Sequence, residues 1–163
     1  ERARRRAIAA NHRLNDVMLA CPAMTPTAIG AHRVWREADL IGLQLAGPLE
    51  LADVEVLRDL MLLVRREHGH CYMLAHAAGL TGISVEARKS LSEWSRSNPE
   101  DRISGVGVHG INFAMRALSA LTLGAINVMT RHPILVHFAR DEAAARAWIA
   151  ARRAIDARAD PQR

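Results

Sequence analysis

A chain of 163 residues with 50% hydrophobic and 24% charged side chains has an ordinary globular composition, and at this length it buries about two thirds of its unfolded surface without needing disulfides or a structural metal. The formal net charge of +5 sits mostly at the ends, with five arginines against Glu1 in residues 1–13 and six arginines against four acids in residues 140–163; the nearly neutral body between them lacks the basic groove that phosphates require. Aromatic residues, at 4%, are too few for a base-stacking platform, and Cys21 and Cys71 are too few for a disulfide framework, so no nucleic-acid partner is expected and free thiols in a cytoplasmic setting are.

Residues 5–20 carry Ile8, Leu14, Val17 and Met18 between arginines and asparagines, a helical spacing that ends before Cys21-Pro22. Asn11, His12, Asn15 and Asp16 stand where a signal peptide would be apolar. The stretch Pro22 to Gly30, with Thr25, Pro26 and Thr27, reads as a linker. The expected organisation is a basic helical arm and linker over 1–28, one domain over 29–158 and a disordered tail over 159–163.

From His32 onward, β-rich runs alternate with segments of helical period. Strands are expected at 32–37, 40–46, 71–78, 103–109 and 134–139, the first two joined as a hairpin by Glu37-Ala38-Asp39. A helix over 50–66 aligns Leu51, Val54, Leu57, Leu60, Met61 and Val64; Glu50, Asp53 and Glu55 open it, and Arg65 and Arg66 close it before Gly69, as the helix dipole favours. A second helix over 85–96 follows Ser84 as N-cap and stops before Pro99, and a last one over 142–157 follows Asp141. The predicted fold class is therefore α/β: a mostly parallel five-stranded sheet of sequential βα units with an N-terminal antiparallel hairpin.

The helix expected over 112–130 differs from the others, because Arg116 is the only charge between Ile111 and Thr130. Its uncharged run from Ala117 to Thr130 is 14 residues, too short to span a bilayer. Either the sheet and neighbouring helices cover it, or it is a dimer or partner surface.

Gly105-Val106-Gly107-Val108-His109-Gly110 is a literal G-x-G-x-x-G, yet only Ile103 and Ser104 precede it as strand and no acid follows about twenty residues on. Glycines that thin a strand for close backbone approach explain the run better than a dinucleotide does. His68, His70, Cys71 and His76 suggest a metal, with His109 and His137 as further ligands should they meet, but the first cluster lies at a turn where adjacent side chains diverge. No G-x-S-x-G elbow and no base for either cysteine is present. No catalytic residue, metal or cofactor is expected.

Leu40 to Leu45, Gly47, Leu49 and the helix Asp53 to Arg66, followed by Ala78-Gly79-Leu80-Thr81-Gly82-Ile83-Ser84-Val85-Glu86-Ala87-Arg88, resemble SpoIIAA-like domains and, more distantly, STAS anti-sigma-factor antagonists. The resemblance covers about 31–156 and implies sequential strand order and a non-catalytic regulatory role. In the antagonists the turn resembles Asp-Ser-Ser-Gly, whose central serine is phosphorylated to switch partner binding. Here the matching stretch is Ser84-Val85-Glu86-Ala87, so Val85 and Glu86 hold the serine positions and a permanent carboxylate sits near the helix N-terminus.

Two functions follow as expectations. One is a regulatory or scaffold module that binds a protein partner or itself as a homo-oligomer, through Gly82, Ser84, Val85, Glu86 and Arg88. The other is binding of a small apolar ligand, since SpoIIAA-like domains are also similar in fold to CRAL-TRIO lipid-binding domains. Phe113, Met115, Leu118, Leu121 and Met129 are the residues expected to form the dimer surface or line the ligand site.

Overall fold

A computed structural model describes residues 25–98, 101–114, 116–117, 119–121, 124 and 134–159. The predicted arm helix, Cys21, Met115, Leu118 and Met129, and most of the predicted 112–130 helix beyond residue 124, lie outside the described residues. Within them the elements run β1 (Thr27–Ile29), β2 (His32–Glu37), β3 (Leu40–Leu49), α1 (Leu51–His68), β4 (Tyr72–Ile83), α2 (Val85–Ser97), β5 (Gly105–His109), β6 (Val136–Phe138) and α3 (Glu142–Ala159). Residues 113, 114, 116, 117, 119–121 and 124 are helical as well.

The sheet has six strands, not five, in the order β1-β2-β3-β4-β5-β6. The first two pairings are antiparallel and the remaining three parallel. The additional strand is β1, in the stretch read as linker. Pro26 precedes it and owes no ladder hydrogen bond, Ile29 is buried, and three residues are too short for an alternation to show. β4 is also longer than expected: Gly79 to Ile83, read as a turn, pair with Ala46 to Leu49 across two register shifts. Pro48 is tolerated in β3 because β2 pairs only as far as Gln44, leaving that flank of β3 free.

Alternation along the strands sorts side chains between two layers. Ile41, Leu43, Leu45, Ala75, Ala77 and Val108 join Leu57, Leu60, Met61 and Val64 of α1, with Trp94 of α2 against them. On the opposite face Leu40, Tyr72 and Leu74 meet Ala145, Trp148 and Ile149 of α3. Glu50 precedes α1 in extended conformation, and its N–H donates to Asp53 Oδ2 at 3.0 Å. Gly69 in the left-handed region ends that helix, with its N–H donating to Arg65 O.

The buried His32 ties the hairpin to α1. Its Nδ1 accepts the Ala46 N–H at 3.0 Å, which puts the ring proton on Nε2. Nε2 stands 3.4 Å from Asp53 Oδ2, close enough for attraction though not aligned as a hydrogen bond. Gly30, at φ +55°, is required beside it, because a Cβ there would come within 2.5 Å of Asp53 Oδ1.

The glycine run of β5 lets α3 lie close to the sheet. A Cβ on Gly107 would sit 3.2 Å from Ala145 Cβ and Ile149 Cδ1, and one on Gly105 3.1 Å from the Trp148 ring. An ionic seam then fixes the helix. Arg146 donates twice to Glu37, at 2.8 and 2.9 Å, and the Trp35 indole adds a third bond at 2.8 Å. Arg153 Nε donates to Asp39 Oδ2 at 3.1 Å, and Tyr72 donates to Asp156 at 2.7 Å. Bidentate arginine–carboxylate pairs of this kind are stronger than ordinary surface pairs.

The Arg146 hydrogen bonds, opposed by partial burial and helped by Trp35, lower the Glu37 pKa from 4.5 to about 2. A carboxyl depressed in the folded state contributes stability that is complete above its unfolded pKa and is lost as pH falls through the folded value. Glu37→Gln is therefore expected to cost roughly 1–2 kcal/mol at pH 7, allowing for solvent screening of the half-exposed arginine. Urea denaturation should show that difference shrinking between pH 4.5 and 2; an equal difference at both ends would remove the ion pair as its cause.

Candidate functional site

The two faces of the sheet are filled differently. Under α3 the glycines close the gap, whereas on the α1 side the middle of β4 presents Ala75 and Ala77 between larger neighbours. Short side chains there leave an apolar cavity of about 250 Å3. Its floor is Leu43, Met73, Ala75, Ala77, Val106 and Val108 of the sheet; Leu57 and Met61 of α1 and Trp94 of α2 form its walls. Phe138 closes the β6 end, and Ile111, Ser119 and Ile134 border it from the connection between β5 and β6. The polar residues on its boundary are Arg58, Ser90, Ser95 and Ser119.

The volume exceeds the ~150 Å3 of an engineered apolar cavity that takes up benzene, and lies just under the ~300 Å3 at which most ligand pockets begin. With walls largely of carbon, the chemistry the described lining offers is exclusion of water and dispersion contact.

Of the residues expected to form a dimer surface or line a ligand site, Phe113 and Leu121 are the described ones. Phe113 is 87% and Leu121 74% exposed, and neither borders the cavity. Their helical segment is exposed at every described position except Ser119, so among the described residues the sheet and neighbouring helices do not cover it. The cavity lining was not legible in the sequence because it comes mainly from four strands and two helices, whose contributing residues read as ordinary core. The legible hint was the pair of alanines in a strand otherwise rich in large residues.

The turn residues fall into place as a helix entry. Gly82 lies in β4, Ser84 is the N-cap of α2 and its Oγ accepts the Ala87 N–H at 3.3 Å. Val85 is 63% exposed, and Glu86 beside it is exposed in the first turn. The Arg88 N–H donates to Ser84 O at 3.1 Å, while its Nε is buried without a hydrogen-bond partner.

The histidines do not gather. His68 lies at the end of α1 beside Arg36 and Glu67, and the His70 ring tilts toward Tyr72. His76 instead stacks on His109, with ring centres 4.8 Å apart, across the parallel pair β4–β5. Burial, and then the His76 neighbour, lower the His109 pKa. His137 stacks on Trp148. Among the described residues no three His, Cys, Asp or Glu side chains are grouped to hold a metal ion. Burial pushes the Cys71 thiol pKa up to about 12, far from a reactive thiolate. No helix among the described residues is long and apolar enough to cross a membrane.

No protein-family model and no curated protein matches the chain. Solved structures do. An uncharacterised protein of the DUF3478 family from Shewanella loihica PV-4, with a SpoIIAA-like fold, aligns over 77% of this chain and 98% of its own at 19% identity and a TM-score of 0.51. The anti-sigma-factor antagonist SpoIIAA in its unphosphorylated form aligns over 77% and 96% at 10% identity and a TM-score of 0.46. With sequential strand order, an antiparallel start and helices on both faces, the chain has a SpoIIAA-like fold.

Proposed function

We propose that this domain is a non-catalytic binding module that takes up one small apolar molecule between its sheet and the layer of α1 and α2. The apolar cavity of about 250 Å3 carries this reading. Apolar side chains that face an unfilled space forfeit dispersion contacts and, where water reaches them, the benefit of burial. An apolar occupant recovers much of that loss. By proportion to benzene in ~150 Å3, the space suits a ligand of roughly ten carbons.

Naphthalene, a neutral probe of that size, is expected to bind saturably to the full chain and to raise its melting temperature. Ala77→Leu, which extends a side chain into the cavity from β4, is expected to weaken naphthalene binding at least tenfold while leaving the ligand-free melting temperature equal or higher. Naphthalene affinity unchanged by Ala77→Leu would place the binding elsewhere, and absence of binding to the wild-type chain would remove the reading.

A second reading, association with a protein partner or with a second copy, is favoured by the exposure of Phe113 and Leu121 on the helical segment and of Val85 at the α2 entry. Large apolar side chains exposed to this degree on neighbouring turns are costly to leave in water. Sedimentation velocity is expected to show self-association of the wild-type chain that Phe113→Asp abolishes. A wild-type chain that remains monomeric at high micromolar concentration would discard the homo-oligomer.

A further inference from the structure

Resting on the apolar-ligand reading, we infer that the ligand is an anionic amphiphile: an alkyl chain in the cavity and a carboxylate head at its rim beside Arg58. Of the described residues bordering the cavity, Arg58 alone is charged. It lies in α1 one turn after Val54 and one turn before Met61, both cavity residues, so its methylene stem forms part of the wall. The side chain is 30% exposed, the arrangement of an arginine that buries its stem and keeps its head at the surface.

The guanidinium is also underused. Its ion pair is with the adjacent Asp59, from Nε at 3.5 Å, and it makes no hydrogen bond among the described residues. The terminal nitrogens are thus available in the planar fork that matches a carboxylate. No acid among the described residues borders the cavity, and Ser90, Ser95 and Ser119 are the other polar residues on its border. A second cation stands at the β6 end, where the Arg116 guanidinium lies 5.3 Å from the ring centre of Phe138, itself a cavity residue. Arg58 and Arg116 thus stand beside two different parts of the border, Arg58 with Asp59 as its ion-pair partner.

Decanoate and decan-1-ol separate the head from the tail. Calorimetric titration of the full chain is expected to give tighter binding of decanoate than of decanol, by tenfold or more, as hydrogen bonds to a charged group imply. Arg58→Met keeps the stem and removes the fork; it is expected to abolish that preference while changing decanol affinity less than twofold, and Arg58→Lys is expected to restore part of it. Equal binding of the two probes, or a decanoate preference that survives Arg58→Met, overturns the carboxylate assignment and leaves the apolar-ligand reading standing. Binding of neither probe overturns both. Equal melting temperatures of the ligand-free variants identify the change as one of recognition and not of folding.

Discussion

β4 is buried on both faces, and the alternation of its side chains sets the rest of the molecule. Tyr72 and Leu74 point to one side and meet α3, while Met73, Ala75 and Ala77 point to the other. Because a strand has a period of two, a single-residue slip would exchange the sets, putting Tyr72 under α1 and alanines under α3. Tyr72, 1% exposed, resists that slip, since its hydroxyl is held by Asp156 and its ring lies against Arg153. The phenol is pushed up in pKa by burial and then by Asp156, and it acts as a fixed donor.

From this one assignment the two layers acquire different characters. The α3 side is drawn tight by glycines in β5 and held by two arginine–carboxylate contacts to the hairpin, Arg146 to Glu37 and Arg153 to Asp39. The α1 side rests on short alanines and is hollow, and its border carries an arginine without a hydrogen-bonded partner among the described residues. A rigid face supporting a hollow one is a sound arrangement for a binding domain, because the supporting layer pays the ordering cost before the ligand arrives.

Much of this was legible in the chain itself. The α1 stripe, its acidic start and its Gly69 stop, the Ser84 cap and the βα alternation each follow from local rules, and the structure has them within two or three residues. The glycine run was read as thinning a strand for close backbone approach, and Gly105 and Gly107 lie in β5 against Trp148, Ala145 and Ile149 of α3. β1 was hidden by brevity and by Pro26. The extension of β4 was hidden by Gly79 and Gly82, which resemble turn residues yet here accompany register shifts against β3. The site was least legible, because a cavity is a difference between neighbouring side-chain lengths on several elements. No periodicity records which small residues face one another, and Phe113 and Leu121, expected on a dimer surface or a ligand site, are exposed.

The hollow between Ala75, Ala77, Met61 and Trp94 is the feature on which the proposed function rests, and xenon tests it directly, since xenon enters dry apolar cavities without needing a polar partner. Diffraction from crystals of the full chain pressurised with xenon is predicted to show an atom on the α1 side of β4, bordered by those residues and Val108. Helices closed down onto Ala75 and Ala77, with no xenon at that position, would contradict the account.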